Sequence, residues 1–79
     1  MRVLLFARAK DIVGAARVEI ALPEGATAVE LRRALGRKFP ALAPLLEKSA
    51  LAVNGEITTE YTPLPASAEV ALLPPVSGG

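Results

Sequence analysis

A chain of 79 residues supports a single hydrophobic core, and with 52% hydrophobic and 22% charged residues this chain has the composition of a folded domain. Its net charge of +1 provides no strong field for attracting nucleic acid or an anionic membrane surface, so we expect neither as a partner. The sequence contains neither Cys nor His, which excludes disulfides, thiolate nucleophiles, and the commonest general base and zinc ligand.

The sequence also indicates where in the cell the protein is expected. The first six residues lack the length and the small-residue cleavage site of a signal peptide. No apolar run approaches the roughly 20 residues that a membrane helix needs. We therefore expect a cytoplasmic protein.

The first two predicted elements are strands. Residues 3–7 form a short apolar run rich in branched and aromatic side chains, which is typical of a buried strand. Residues 17–22 alternate strictly between apolar and other side chains, as in a strand buried on one face. The segment 9–15 between them is too long for a two-residue turn, so we expect a loop or one helical turn that Gly14 ends. We expect the two strands to pair antiparallel.

A helix is predicted after the break at residues 23–25. Thr27 followed by Glu30 matches a capping box, in which each side chain accepts a hydrogen bond from a free backbone amide at the helix start. At 100° per residue the apolar positions fall on one stripe, and the helix ends near residues 38–39 because Pro40 cannot continue it. The apolar stripe consists of Ala28, Leu31, Leu35 and Phe39.

Residues 41–48 carry leucines at the spacing of one or two helical turns, with Pro44 suited to a first turn, and predict a short lid over the core. A strand follows at residues 51–54. Asn54-Gly55 is the dipeptide most suited to a hairpin turn with positive φ at both positions, so the chain returns as a strand over residues 56–58.

The last part of the chain contains one more strand. Residues 59–67 predict an irregular connection, since Pro63 and Pro65 interrupt any strand there, and we expect Tyr61 and Leu64 to pin it to the domain. Residues 69–73 then form the last, apolar strand.

The order of these elements predicts an α+β domain. The first and last strands are apolar almost throughout, as expected of central strands covered by a helix, so we place them side by side and parallel. The result is a ubiquitin-like β-grasp, a mixed sheet of four or five strands packed on one main helix. We assign residues 1–73 to this domain and residues 74–79 to a flexible, extended C-terminal tail that ends in Gly-Gly.

The tail is the most informative feature for function. Pro74-Pro75 donates no backbone hydrogen bonds, so the chain leaves the sheet as a stiff stem that reaches roughly 20 Å. Gly78 and Gly79 have no side chains, so the end can pass through a narrow channel and present its carboxylate inside another protein. That carboxylate accepts sulfur or an amine only after conversion to a mixed anhydride such as an acyl-adenylate, which requires ATP and a separate enzyme. The alternative is a frayed, inert end.

The distribution of basic and acidic side chains along the sequence indicates structural roles and not a phosphate site or a catalytic pair. The basic side chains of the predicted helix spread around much of its circumference, so we expect solvated surface rather than a phosphate site, with partner contact as the alternative. They are Arg32, Arg33, Arg37 and Lys38. The eight carboxylates are scattered, and no two are paired by their spacing as a general acid and base.

Among the other apolar residues, Phe6 and Phe39 are expected in the core. Leu73 faces opposite to Leu72 on the last strand, and Val76 lies in the stem. An exposed apolar residue beside a working tail can anchor a partner, so Leu73 and Val76 are either docking residues or plain surface.

The closing run, residues 70–79, resembles the C-terminus of the small, sulfur-carrier subunit of molybdopterin synthase. The likeness extends to the start at residues 3–7, the segment 27–32 and the strand at 51–54. The closing motif, with its Pro-Pro-Val stem and terminal Gly-Gly, is the most specific of these.

This resemblance implies that Gly79 is adenylated by an ATP-dependent activating enzyme and converted to a thiocarboxylate by a sulfur donor system. The tail, with Gly78, would then enter the active site of the large catalytic subunit and donate sulfur to cyclic pyranopterin monophosphate in molybdenum cofactor biosynthesis. The chain itself would bind no cofactor or metal, would not be catalytic alone, and would join a heterotetramer with two large subunits. Its partner-binding residues would be Leu73, Pro74, Pro75, Val76 and Ser77.

Three other functions fit parts of the pattern. A sulfur carrier for thiamine or transfer-RNA thiolation shares the β-grasp and the terminal Gly-Gly, usually without the Pro-Pro-Val stem. A ubiquitin-like modifier would use the same acyl-adenylate to form an isopeptide bond with a lysine. A plain binding module would use a sheet edge, and its tail would be inert.

Overall fold

The computed structural model describes residues 1–74. Five strands form one mixed sheet, and three helices and a single 3₁₀ turn connect them. The elements are β1 (Arg2–Leu5), α1 (Ala7–Val13), β2 (Arg17–Glu19), α2 (Ala28–Lys38), the 3₁₀ turn (Pro40–Leu42), α3 (Ala43–Leu46), β3 (Ala50–Val53), β4 (Glu56–Ile57) and β5 (Glu69–Leu73). The strand order across the sheet is β2-β1-β5-β3-β4, which is the predicted β-grasp arrangement.

The centre of the sheet is the parallel pair of β1 and β5, in register from Arg2 opposite Glu69 to Leu5 opposite Leu72. β2 pairs antiparallel with β1 on one side, and β3 pairs antiparallel with β5 on the other. Parallel pairing of the first and last strands, predicted from their continuous apolar sequences, is therefore confirmed.

The core lies between one face of the sheet and the helices. Ala28, Leu31 and Leu35 of α2 are all 0% exposed, so the predicted stripe is the buried side of the helix, and Phe39 packs half-buried at its end. On the sheet, alternate residues of the central strands face this core. They are Val3, Leu5, Val70, Leu72 and Leu51. Leu42 and Leu46, from the 3₁₀ turn and α3, close one end as the predicted lid.

The start of α2 differs from the predicted capping box. Thr27 is the N-cap residue, but its hydroxyl bonds the carboxylate of Glu30 at 3.3 Å, and neither side chain caps a backbone amide. The amides of Ala28 and Val29 instead donate to backbone carbonyls of the connection before β5, at 3.1 and 3.0 Å. Since that connection already supplies acceptors, the side chains are not needed as caps.

Two elements near the N-terminus differ in length from the prediction. The segment after β1 forms the seven-residue helix α1 rather than a loop or one turn, and Gly14 ends it with a φ of 83°. The helix is short but buries Ala9 in the core, and this long-range contact was not visible in the local pattern. β2 ends at Glu19 instead of Leu22, although Ile20 remains buried.

Within residues 1–74 no helix is both long and apolar enough to cross a membrane.

The hairpin turn is as predicted, with φ of 51° at Asn54 and 84° at Gly55. Leu64 pins the connection before β5, at 1% exposure. Two aromatic predictions are wrong: Tyr61 is 81% exposed and does not pin this connection, and Phe6 is 43% exposed instead of lying in the core. Phe6 is the extended residue just before α1, and the alternation of β1 turns it to the face opposite Leu5.

Arg32 is a structural residue, not the solvated one that was expected. Its Nη1 donates to the carbonyls of Leu46 and Ser49 at 2.6 and 2.8 Å, and its Nη2 donates to Glu60 at 2.8 Å. Its side chain is only 20% exposed, and its Nε is buried without a hydrogen-bond partner among residues 1–74. One guanidinium thus links α2 to the end of α3, to the residue just before β3 and to the connection before β5.

We expect Arg32→Ala to lower the free energy of unfolding by about 2–4 kcal/mol, because it leaves the carbonyls of two buried residues without their charged donor. The matched control is Arg33→Ala on the same helix, since Arg33 is exposed and forms no ion pair within residues 1–74. That control changes stability by less than about 0.5 kcal/mol. Urea denaturation measures both, and equal losses would show that Arg32 has no special role.

Candidate functional site

The candidate site is the end of β5, where the chain leaves the sheet. The last strand residue, Leu73, pairs with Ala50 of β3, and exposed Pro74 follows it directly. Leu72 is 1% exposed on the core side, so Leu73, half-buried, faces the other side of the sheet. Because β5 lies between β1 and β3, the chain exits from the middle of the sheet and not from an edge.

The sheet face opposite the core carries apolar side chains in register across four strands. Leu4 is opposite Ala71, Ala71 is opposite Ala52, and Ala52 is opposite Ile57. We call this surface the open face. Its apolar residues are Leu4, Phe6, Ala50, Ala52, Ile57, Ala71 and Leu73.

The open face is not covered by the helices, which contribute their buried apolar residues to the core on the other side of the sheet. Ile57 is 69% exposed and Phe6 43% exposed. Small alanines occupy the middle of the face, which makes it shallow between these two larger side chains. Ala52, at the centre of the face, is 6% exposed, so the exposed apolar area lies mainly at Ile57 and Phe6 and makes this face a candidate interaction surface.

Charged residues border the open face at the opposite end from Leu73. Arg2 Nη1 lies 3.5 Å from Glu69 Oε2, and Arg2 Nε lies 3.8 Å from Glu19 Oε1. These pairs join β1 to both of its neighbours, are half-exposed or more, and contribute little to stability. The face therefore has a charged border at one end and the exit of the chain at the other.

Of the predicted site residues, the structure places Leu73 on the open face and Pro74 at its border. The other five lie outside the described residues: Pro75, Val76, Ser77, Gly78 and Gly79. Within residues 1–74, no three His, Cys, Asp or Glu side chains cluster so that they could hold a metal ion.

Sequence reasoning missed Phe6 and Ile57, the two most exposed residues of this face. Phe6 follows Leu4 by two positions, and this period-2 spacing in an extended segment was a usable signal. Ile57 follows the Asn54-Gly55 turn, and its pairing with Ala52 across the hairpin fixes its side. The open face became visible only once the register was known.

The chain is similar over its whole length to known proteins. The profile of the ThiS family matches residues 3–79. The chain is 37% identical over 79 residues to the molybdopterin synthase sulfur carrier subunit of Arabidopsis thaliana, and the alignment covers 100% of this chain and 82% of that protein.

Two solved structures show the same fold. SAMP1, small archaeal modifier protein 1 from Haloferax volcanii, is 31% identical with a TM-score of 0.83, covering 100% of this chain and 98% of that one. A chain from the complex of subunits 1 and 2 of molybdopterin-converting factor of Helicobacter pylori is 26% identical with a TM-score of 0.64, covering 99% and 96%.

If the open face serves binding and not folding, polar substitutions there are tolerated. We expect Ile57→Thr, which keeps the β-branched shape, to change the free energy of unfolding by less than about 0.5 kcal/mol. The matched control on the core side is Val70→Thr at 0% exposure, which buries a hydroxyl and costs about 1–3 kcal/mol. Urea denaturation compares the two, and a loss at Ile57 as large as that at Val70 would contradict this assignment.

Proposed function

Because the chain belongs to the ThiS family, we propose that it is the sulfur carrier subunit of molybdopterin synthase, a partner in a complex and not a catalyst by itself. The Arabidopsis relative, aligned over the whole chain, has this name. The structural observation that carries the proposal is the exit of the chain: β5 ends at Leu73 beside an apolar open face, and Gly79 follows Pro74 by five positions.

The proposed chemistry takes place at the carboxylate of Gly79. In an activating enzyme, a carboxylate oxygen attacks the α-phosphorus of ATP, pyrophosphate leaves, and an acyl-adenylate forms. Sulfide from a donor system then attacks the acyl carbon and displaces AMP, which leaves a thiocarboxylate. Since activation consumes ATP, we propose that the carrier acts in the cytoplasm. It binds no cofactor of its own in this scheme.

In the second half of the proposal, the loaded tail enters the large catalytic subunit and donates its sulfur to cyclic pyranopterin monophosphate. The sulfur bonded to the pterin still carries the acyl group as a thioester; water cleaves this acyl–sulfur bond, which leaves the sulfur on the pterin and restores the carboxylate of Gly79 for another round of loading. Absence of side chains at Gly78 and Gly79 suits passage through a narrow channel.

The open face is the proposed docking surface for the large subunit. The Helicobacter pylori protein with this fold was solved as a complex of subunits 1 and 2 of molybdopterin-converting factor, which supports a large-subunit partner here. Leu73 and Pro74 lie where the face meets the exit, and we propose that they and the stem contact the partner. The stem consists of Pro75, Val76 and Ser77.

A second function is favoured by one finding. SAMP1, a small archaeal modifier protein, shares the fold at a TM-score of 0.83 and 31% identity. The same acyl-adenylate, attacked by a lysine amine instead of sulfur, would give an isopeptide bond to a target protein. The two functions differ in the fate of the activated Gly79, which is therefore the quantity to measure.

We expect the full chain, incubated with an activating enzyme, ATP and a sulfur donor, to gain the mass difference of one oxygen replaced by one sulfur. Deletion of Gly79 abolishes this gain, because the new terminal carboxylate, on Gly78, lies one residue short of the active site of the activating enzyme. Intact mass spectrometry measures both forms. A conjugate to lysine-containing protein, without any thiocarboxylate, would favour the modifier function and contradict the carrier.

Gly78→Ala and Gly36→Ala form a matched pair for this assay. Gly78→Ala adds a methyl group to the proposed channel-entering end, and we expect it to slow loading. Gly36 lies inside α2, where an added Cβ would meet Leu46 Cδ1 at 3.6 Å, an ordinary contact. Gly36→Ala therefore leaves loading unchanged, and equal slowing by both substitutions would indicate a general defect.

We expect Ile57→Thr and Leu73→Thr to weaken binding to the large subunit by about tenfold or more, because both remove apolar area from the open face. The control is Ile12→Thr, which makes the same substitution as Ile57→Thr at a residue outside the open face. Ile12 lies on α1 and is 37% exposed. Isothermal titration calorimetry with the purified large subunit measures the affinities. Loss of affinity for Ile12→Thr alone would place the interface on the helical side.

A further inference from the structure

A second candidate surface lies on the helical side of the sheet, between α2 and the segment that follows β2. It is an open groove of about 850 Å³. None of the residues that line it belongs to the open face. They are Ile20, Ala21, Leu22, Pro23, Glu30, Arg33, Ala34, Arg37 and Lys38.

One wall of the groove is cationic. Arg33 and Arg37 are four positions apart on α2, so their guanidiniums lie on neighbouring turns. Both are exposed, and neither forms a hydrogen bond by its side chain or an ion pair within residues 1–74. Lys38 Nζ donates to the carbonyl of Glu19 at 3.0 Å, which holds the ammonium beside the groove.

A single carboxylate, that of Glu30, lines the groove against these three cations. It accepts a hydrogen bond from the hydroxyl of Thr27 at 3.3 Å. The lining therefore has an excess of positive charge, although the whole chain has a net charge of only +1. This excess was not predicted from the sequence, because Arg33, Arg37 and Lys38 were considered together with Arg32, which points away from the groove and bonds Leu46, Ser49 and Glu60.

The opposite wall is apolar and carries backbone donors. Ile20 is 4% exposed and Leu22 half-buried, and Pro23 continues the same segment. The amides of Ala21 and Leu22 donate no hydrogen bond within residues 1–74. A ligand in the groove therefore meets apolar side chains on one side and cations on the other.

We propose that this groove docks an acidic peptide segment of a protein partner, one in which carboxylates alternate with apolar side chains. Its carboxylates pair with Arg33 and Arg37, its apolar side chains pack on Leu22 and Pro23, and its carbonyls accept from the free amides. A small phosphate ligand fits less well, since the groove is open and the side chains of the wall opposite the cations are apolar. Charge complementarity thus selects an acidic polypeptide.

This proposal goes beyond the sulfur carrier function and does not depend on it. The groove and the open face share no residue, so a segment in the groove leaves Leu73 and the exit of the chain free. Loading of Gly79 and binding at the groove are measured separately, and each can fail without the other.

The test uses the full ¹⁵N-labelled chain and two acetylated eight-residue peptides, one of alternating Glu and Leu and one of alternating Gln and Leu. Titration at about 50 mM NaCl, where screening is weak, is followed by amide chemical shifts. We expect the Glu peptide to shift the amides of residues 20–22 and 30–38, the Gln peptide to bind about tenfold more weakly or worse, and added salt to weaken the binding.

The decisive variant is Arg33→Glu with Arg37→Glu, for which we expect at least about a tenfold loss of affinity. The control with the same charge change is Arg8→Glu with Lys48→Glu, two exposed cations outside the groove, and we expect less than about a twofold change. If the Glu variants fail to fold, the Gln versions of both pairs replace them.

Four results of the peptide titrations would overturn the proposal: no binding of the Glu peptide, equal binding of the Gln peptide, shifts confined to residues outside the groove, or equal losses in the two double variants. Inorganic phosphate is titrated in parallel. If it shifts the groove residues at lower concentration than the peptide does, the groove is a small-anion site and the peptide proposal is wrong.

Discussion

The structure depends on the parallel pairing of β1 with β5. A parallel pair cannot be closed by a tight turn, so everything between Leu5 and Glu69 is one long crossover into which the helices and the other strands are built. Val3 and Val70, opposite each other, are both 0% exposed. The consequence for function is direct, because the last strand of the chain is held at the centre of the sheet and whatever follows Leu73 starts from a rigid, buried support.

Local patterns predicted much of this fold. The helix stripe of α2, the Asn54-Gly55 turn and the apolar strand at residues 69–73 were each specified by spacing or by backbone preference, and the structure has all three. The β-grasp topology could be predicted because the first and last strands do not alternate between apolar and polar side chains, which places both at the centre of the sheet. At the candidate site, Leu73 was assigned to the face opposite Leu72 by alternation alone, and that assignment is correct.

The parts that were not predicted depend on contacts between distant segments. Arg32 and Arg33 are neighbours in the sequence, and only the acceptors on Leu46, Ser49 and Glu60, 14 to 28 residues away, make Arg32 structural and leave Arg33 exposed. The capping box failed for a similar reason, since the connection before β5 supplies the acceptors for the helix amides. Phe6 was placed in the core by its residue type, although its period-2 position after Leu4 turns it outward.

The composition of the open face fits a carrier that must leave each partner. Three of its seven apolar residues are alanines, so the apolar area is modest. The two most exposed side chains, Phe6 and Ile57, lie on either side of the strands that carry these alanines. Weak, transient complexes are found at the low end of interface areas. A deeper hydrophobic face would bind one enzyme tightly and hinder transfer to the next. In the proposed function, the face positions the exit of the chain against each partner, and specificity comes largely from the contacts of the chain end inside that partner.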